Sequence, residues 1–523
     1  MIREKVSLGT INPVIPTDYP DPDVIRVGDT YYLASTTMHF FPGCEILKSH
    51  DLLHWEHASY VYDRLDDTPG QCLKNDENIY GKGMWAPCLR FHNGSYYLSF
   101  CANDTHKTYL YKASSIYGPW KKQYIEGFYH DASILFDDDR VFIAYGNREI
   151  KLVELDNDLK GPKKGGLQRT LVKEENNNVL AYEGCHFYKI NDKYYLFLIH
   201  SLPDRWMRTQ NYFVSSSLEG EFHGGEIFCD DMGYFGQGVA QGGIVDTPDG
   251  HWFTMLFQDR GGVGRTPFLL PLRWKGAVPF IEENGKLPAE IEICNSIPDY
   301  EYMSLTGSDD FSEGSKASDK ADGRKTESSE FDSFGMRSFW QFNHQPEISL
   351  VKQDVKKKRL LIKTDRLCDK FDKAINTLTQ RMTLPRSRAS VIVNVEGLKI
   401  GDRAGLGVLC EEYCYLAIEK TEKGNELLLI SKENGEEVEK LRETLGNEKA
   451  YSLRIDANTF ALVGNATIFW KRLPEKEFKP VPFSKSLQFT LAHFVGCRFA
   501  LFMFSTKESG GTAEFSDFKY EIY

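Results

Sequence analysis

Tyr19-Pro20-Asp21-Pro22-Asp23 stands just ahead of the strand-like run Tyr31-Tyr32-Leu33-Ala34-Ser35, and this pairing of an aimed acid with an aromatic strand decides the reading of the chain. Pro20 has a fixed φ, and Pro22 disfavours helical backbone in the residue before it. Asp21 is therefore expected in an extended conformation, with its carboxylate rigidly presented. A lone Asp-Pro is an ordinary turn. Here the position recurs. Turn chemistry followed by strand formers appears as Gly28-Asp29-Thr30-Tyr31-Tyr32-Leu33, Asn93-Gly94-Ser95-Tyr96-Tyr97-Leu98, Asp139-Arg140-Val141-Phe142-Ile143, Asn191-Asp192-Lys193-Tyr194-Tyr195-Leu196 and Asp249-Gly250-His251-Trp252-Phe253. A period of roughly fifty residues is that of propeller blades, and the longer first interval marks an insertion.

About ten residues before each copy, one strand and a turn away, stand Asp21, Trp85-Ala86-Pro87, Asp131, Glu183 and Gln241. Equivalent positions of successive blades come round to one axis, so these side chains are expected in a single pocket. Three of them are carboxylates. Tyr182, Gly184 and Cys185 around Glu183 form an apolar setting, which favours a protonated carboxyl. Trp85 is read as an aromatic floor or as core, and the adjacent Phe40 and Phe41 as a loop that is either ordinary staple packing or, at the pocket rim, a sugar-holding face. Arg265 is read as a counter-charge, a donor to substrate oxygens, or both.

The 523 residues carry a formal charge of -12, which argues against nucleic acid or an anionic membrane as the main partner. A neutral ligand fits better. No apolar stretch follows Met1-Ile2-Arg3-Glu4-Lys5 and no run reaches membrane-spanning length, so a cytoplasmic protein without a signal peptide is expected. The 11 cysteines are odd in number and scattered, as expected of buried reduced thiols. Residues 1–305 are read as the propeller. From Thr306 to Ser329 the composition turns to Gly, Ser, Asp, Lys and Glu, a linker or loop. Short strand-like runs separated by turns then make residues 330–523 a jelly-roll-like β-sandwich, in which Trp340 and Trp470 are read as core or as sugar-stacking residues. The expected class is all-β, a five-bladed β-propeller followed by a C-terminal β-sandwich.

Two carboxyl groups across a sugar-sized pocket suit glycosidic cleavage, one protonating the leaving oxygen and the other activating water or attacking carbon. Asp21, rigid, suits the base, and Glu183 the acid. Asp131 would favour protonation of Glu183 by like-charge repulsion. Blades one and four are not neighbours in a five-blade ring, and a wide separation favours inversion. The competing reading from another class is a carbohydrate-binding propeller without turnover.

The run Asn12-Pro13-Val14-Ile15-Pro16, then Pro20-Asp21-Pro22-Asp23-Val24-Ile25-Arg26, Met84-Trp85-Ala86-Pro87, His130-Asp131-Ala132-Ser133, Tyr182-Glu183-Gly184 and Gly264-Arg265 resembles glycoside hydrolase family 43. The likeness is to its β-xylosidase and α-L-arabinofuranosidase branch, and Phe339-Trp340-Gln341-Phe342-Asn343-His344 and Phe515-Ser516-Asp517-Phe518 are similar to that branch's sandwich. The resemblance implies an inverting, exo-acting enzyme on xylan- or arabinoxylan-derived oligosaccharides, with Asp21 as general base, Asp131 as pKa modulator and Glu183 as general acid. It implies that Arg265 binds the terminal sugar, that Phe40 and Phe41 shape its subsite, and that Phe494, in His493-Phe494-Val495-Gly496, reaches over the pocket. A homo-oligomer is compatible with it. Two positions depart from the family's pattern. Cys88 stands where many relatives carry an acid, and Gln241 where many carry a channel histidine linked to calcium. Gln241 offers an oxygen to such an ion, and the hydrolytic steps require no cofactor.

Overall fold

The computed structural model describes residues 2–283, 285–313, 330, 332–446 and 448–523, and it is all-β. Five four-stranded antiparallel sheets follow one another over residues 23–62, 84–125, 133–173, 183–228 and 244–280. They are the five blades of a propeller. The repeated turn-and-aromatic runs become the second strand of each blade: Thr30–Ser35, Ser95–Ala102, Arg140–Tyr145, Lys193–Ser201 and Trp252–Asp259. The first strands of blades five, one, two, three and four contact one another in that order around the axis. The ring closes where the Gly243 amide donates to the Pro22 carbonyl at 3.1 Å.

One backbone device is repeated at the entrance to every first strand. Asp21, Ala86, Asp131, Gly184 and Gln241 all have a left-handed φ, of 52°, 35°, 46°, 67° and 61°. Asp21 is thus not extended, as its flanking prolines led us to expect. The turn that starts each innermost strand overrides the local preference, and short polar residues tolerate that region better than most.

Two residues further on stand Asp23, Cys88, Ser133, His186 and Gly243, and they stitch the blades together. Asp23 Oδ2 accepts from the Leu89 amide (2.7 Å), Cys88 Sγ from Ile134 (3.2 Å) and Ser133 Oγ from Phe187 (2.9 Å). In blade four the acceptor for Ile244 is the Tyr188 hydroxyl, at 3.1 Å. A Cβ on Gly243 would meet Asp23 Oδ1 and Tyr188 at 3.0 Å, so the fifth member of the ring is a glycine. Cys88 faces this ring and not a sugar, which accounts for a small neutral residue at that position; burial pushes its thiol up to about 11.

The second domain is a sandwich of an eight-stranded and a seven-stranded antiparallel sheet over a continuous apolar core. The outermost strand of the larger sheet comes from the propeller. It is Phe40–Phe41, which pairs with Gln341–Asn343. Phe40 and Phe41 are each 1% exposed, so the reading of them as a sugar-facing loop is corrected: consecutive residues of a strand point to opposite faces, and both faces here are packed. Trp340 and Trp470 are likewise core residues and not sugar platforms, Trp340 donating its indole N–H to Asp309 at 3.0 Å. Of the polar stretch 306–329, Asp309 pairs with Phe518 and Phe311 lies in the sandwich core, so its start is packed; residues 314–329 lie outside those described. All 11 cysteines are unpaired, most of them buried. Among the described residues no helix is long and apolar enough to cross a membrane.

A buried ion pair joins the domains. Arg381 of the sandwich reaches Glu45 of blade one at 2.8 Å and donates to the Asp18 carbonyl at 2.8 Å. Burial alone would lift the Glu45 carboxyl, but Arg381 and His57 bring it down to about 2. The stability this carboxylate contributes is therefore complete above its ordinary 4.5 and is lost as the pH falls toward 2, a window in which thermal melts should show a falling midpoint. Arg381→Met leaves Glu45 with only His57 and the Tyr19 hydroxyl beside it and should cost about 3–5 kcal/mol. An unchanged melting temperature in that variant would show that the pair does not hold the domains together.

Candidate active site

At the end of the axis where the left-handed residues lie, Asp21, Asp131 and Glu183 line one cavity of about 270 Å³ together with Trp85, Gln241, Arg265 and Phe494. Of the residues assigned to this pocket from sequence, Phe40 and Phe41 do not reach it. Met38, two residues upstream, does. The volume is at the small end for ligand sites and suits one or two sugar rings better than a long chain.

Asp21 is clamped from two sides. Its Oδ2 accepts from Thr36 Oγ1 at 2.7 Å and its Oδ1 from the Arg265 guanidinium at 3.1 Å. Arg265 is itself buried. It also faces Asp259 Oδ1 at 3.5 Å and lies 4.9 Å from the ring centroid of Phe494. Asp259 in turn pairs with Arg208, a second guanidinium lining the cavity.

Three residues before Asp21, the buried Asp18 ties three chain segments together. Its Oδ1 accepts from the Arg265 amide at 2.7 Å, and its Oδ2 from the amide of Gly496, in the sandwich loop that carries Phe494, at 2.9 Å. A Cβ on Gly264, whose φ is +99°, would come within 2.3 Å of Asp18 Oδ1, so this crossing requires glycine. Phe494 reaches the cavity from the second domain and packs on Trp85, their centroids 5.1 Å apart.

The remaining acids are arranged differently. Glu183 precedes its blade's left-handed residue, so it shares its position with Trp85 and His130 and not with Asp21 and Asp131. Asp131 is 6% exposed and accepts from the Gly184 amide at 3.2 Å. Burial pushes its carboxyl up, the charges of Glu183 and Asp21 push the same way, and His130 opposes them. Glu183 has a polar setting instead of the apolar one its sequence neighbours led us to expect: Asn147 donates to its Oε2, and His130 Nε2 stands 3.6 Å away. The tertiary fold brings these groups in from blade three, while Tyr182 turns toward His200 and Phe213.

His130, Asn147, Trp206 and Arg208 were not singled out beforehand. His130 had a signal, since it adjoins Asp131; Trp206 and Arg208 lie on a hairpin of blade four that no repeat position marks. Among the described residues, His130, Asp131 and Glu183 form the one group of metal-ligand type, within 4.8 Å of one another. The Asp131 charge pushes the His130 imidazole up, which favours the cation, and an imidazolium offers no lone pair. Calcium takes six to eight oxygens. Near Gln241, the Asp21 oxygens are engaged by Thr36 and Arg265 and an Asp131 oxygen by Gly184, while the Gln241 side chain packs against Gly184. Gln241 and the two carboxylates bring fewer side-chain oxygens to the pocket than calcium takes, so this donor set does not fit the ion.

The model of glycosyl hydrolases family 43 matches residues 10–278, and that of the β-xylosidase C-terminal concanavalin A-like domain matches residues 328–521. The chain belongs to glycoside hydrolase family 43. A solved structure titled as a bifunctional GH43-CE protein of Bacteroides eggerthii superposes with a TM-score of 0.87 at 36% identity, over 99% of this chain; this chain spans 64% of that longer one. A non-reducing-end α-L-arabinofuranosidase of Bacteroides ovatus is 24% identical over 83% of this chain and 78% of its own length. A β-xylosidase of Formosa agariphila is 24% identical over 98% of this chain and 90% of its own. A family 43 site that depends on the Asp18 junction should respond to Asp18→Asn, which leaves one of the two amides facing an NH2 group. KM should rise by about 10-fold or more, the size of a charged hydrogen bond, with a smaller change in kcat. Unaltered kinetics would show that the junction does not shape the pocket.

Proposed function

We propose that the protein is an inverting, exo-acting glycosidase that releases terminal L-arabinofuranose, D-xylose or both from xylan- or arabinoxylan-derived oligosaccharides. The observation that carries this reading is the convergence of Asp21, Asp131 and Glu183 on one small cavity capped by Phe494 from the second domain. Such a pocket admits a chain end or a side-branch, and the relatives named for both pentosidase activities point to the same sugars.

In this reading Glu183 gives its proton to the glycosidic oxygen as the bond to the anomeric carbon breaks. Asp21 takes a proton from the water that attacks that carbon from the opposite face. Asp21 is suited to its task because Thr36 and Arg265 hold both of its oxygens in place, so its direction is set before substrate arrives. Asp131 does not touch the scissile bond. Its charge acts on Glu183 and its hydrogen bond to the Gly184 amide orients that strand entrance. Exchange of protons with solvent restores both acids. A propeller that binds sugar without turnover would have no use for three buried or half-buried acids held by separate partners.

Hydrolysis of 4-nitrophenyl α-L-arabinofuranoside and 4-nitrophenyl β-D-xylopyranoside names the sugar. Asp21→Ala, Asp131→Ala and Glu183→Ala should each lower kcat/KM on an oligosaccharide by about 10²–10⁴-fold. Proton NMR of the product at early times should show the inverted anomer. Retained sugar binding with no turnover of any substrate by the native protein would refute the enzyme reading, and a product of retained configuration would refute inversion.

A further inference from the structure

His130 lines the cavity and has no part in the reading above, on which this inference rests. It occupies in blade three the position that Glu183 occupies in blade four, directly before the left-handed residue, and that position turns a side chain toward the pocket. Its Nε2 lies 3.6 Å from Asp131 Oδ2 and 3.6 Å from Glu183 Oε2, so one imidazole nitrogen faces both carboxylates. The other neighbours of the ring are the Cys101 thiol of blade two and the indole of Trp85, 6.0 Å away between centroids. Asp21 acts on the group from across the cavity through Asp131. The backbone carbonyl of His130 accepts from Gly146 at 3.0 Å, which fixes the loop from which the ring projects.

We propose that the His130 imidazolium is a positioning residue for the general acid, holding a positive charge where Glu183 becomes a carboxylate as it protonates the departing sugar. Before proton transfer the imidazolium is balanced by Asp131. As the proton leaves Glu183, a second negative charge forms beside the same nitrogen, in a half-buried site where a pre-placed charge needs no reorganisation. The leaving oxygen takes the proton and the bonding electrons of the broken C–O bond; His130 neither gains nor loses a proton. The assistance scales with how much proton transfer the transition state requires. A sugar alkoxide needs nearly all of it, and a nitrophenolate very little.

His130→Asn removes the charge at nearly constant size. On a xylo-oligosaccharide or an arabinose-substituted xylo-oligosaccharide, kcat/KM should fall by about 10²-fold, the lower end of what one lost transition-state donor costs. On the 4-nitrophenyl glycoside of the same sugar it should fall by less than about 3-fold, because that leaving group draws little on the acid. The alkaline limb of the pH profile should move to higher pH. Its direction holds whether Asp131 stays charged or takes up a proton in the variant, since in both cases Glu183 loses the nearer positive charge. His130→Lys, which keeps the charge, should recover much of the oligosaccharide rate.

An equal loss on both leaving groups with an unmoved alkaline limb, or no loss at all, overturns the proposal. Glu183→Gln separates the two readings: if that variant lacks a leaving-group dependence, Glu183 is not the acid and the proposed function itself fails. Imidazole NMR of the native protein tests the charge without any substitution. His130 should remain cationic at pH 8, and a neutral ring there overturns the proposal even if no variant folds.

Discussion

A carboxylate buried on the propeller axis, Asp23, is the constraint on which the active site rests. It is 0% exposed and holds the Leu89 amide and the Arg90 guanidinium of blade two at 2.7 Å, and His186 of blade four at 3.0 Å. Burial would lift its carboxyl, yet these partners keep it below the usual carboxylate range. A buried charge is tolerable only with such compensation, and the compensation comes from two other blades, so blades one, two and four cannot shift independently. Ser133, which accepts from Arg90 at 2.7 Å, extends the same network into blade three. The left-handed residues stand two positions upstream of this ring. Fixing the ring therefore fixes where Asp21, Asp131 and Glu183 point.

The second domain is part of the site and not an appendage to it. Phe40–Phe41 is lent to the edge of its larger sheet, which covers an edge that would otherwise be open. Arg381 and the loop around Phe494 come back in return. Asp18 is the meeting point: its backbone is held by Arg381, and its carboxylate by the amides of Arg265 and Gly496. The wall that closes the cavity is thus seated by the same few residues that place the base and its arginine.

Around the cavity, three candidate catalytic acids, and Asp259 just outside its lining, face Arg265, Arg208 and His130. The chain as a whole carries -12, but the pocket is close to charge balance. That balance lets a neutral sugar displace water from the acids without leaving a large uncompensated charge behind.

Much of this could be read along the chain, because it rests on local chemistry repeated at a fixed interval. Turn residues followed by aromatic and β-branched strand formers announce each blade, and counting back from them finds Asp21, Asp131, Glu183 and Gln241. The abrupt polar stretch after Thr306 and the short runs beyond it likewise mark a second all-β domain. What sequence could not supply were relations between distant segments. The one-residue offset of Glu183, the left-handed backbone of Asp21, the burial of Phe40 and Phe41 in another domain's sheet, and the His130 and Asn147 neighbours of the acid all depend on which blades and which domain meet. A strand's preferences are set by its own side chains, but burial, charge compensation and the aim of a carboxylate are set by atoms tens to hundreds of residues away.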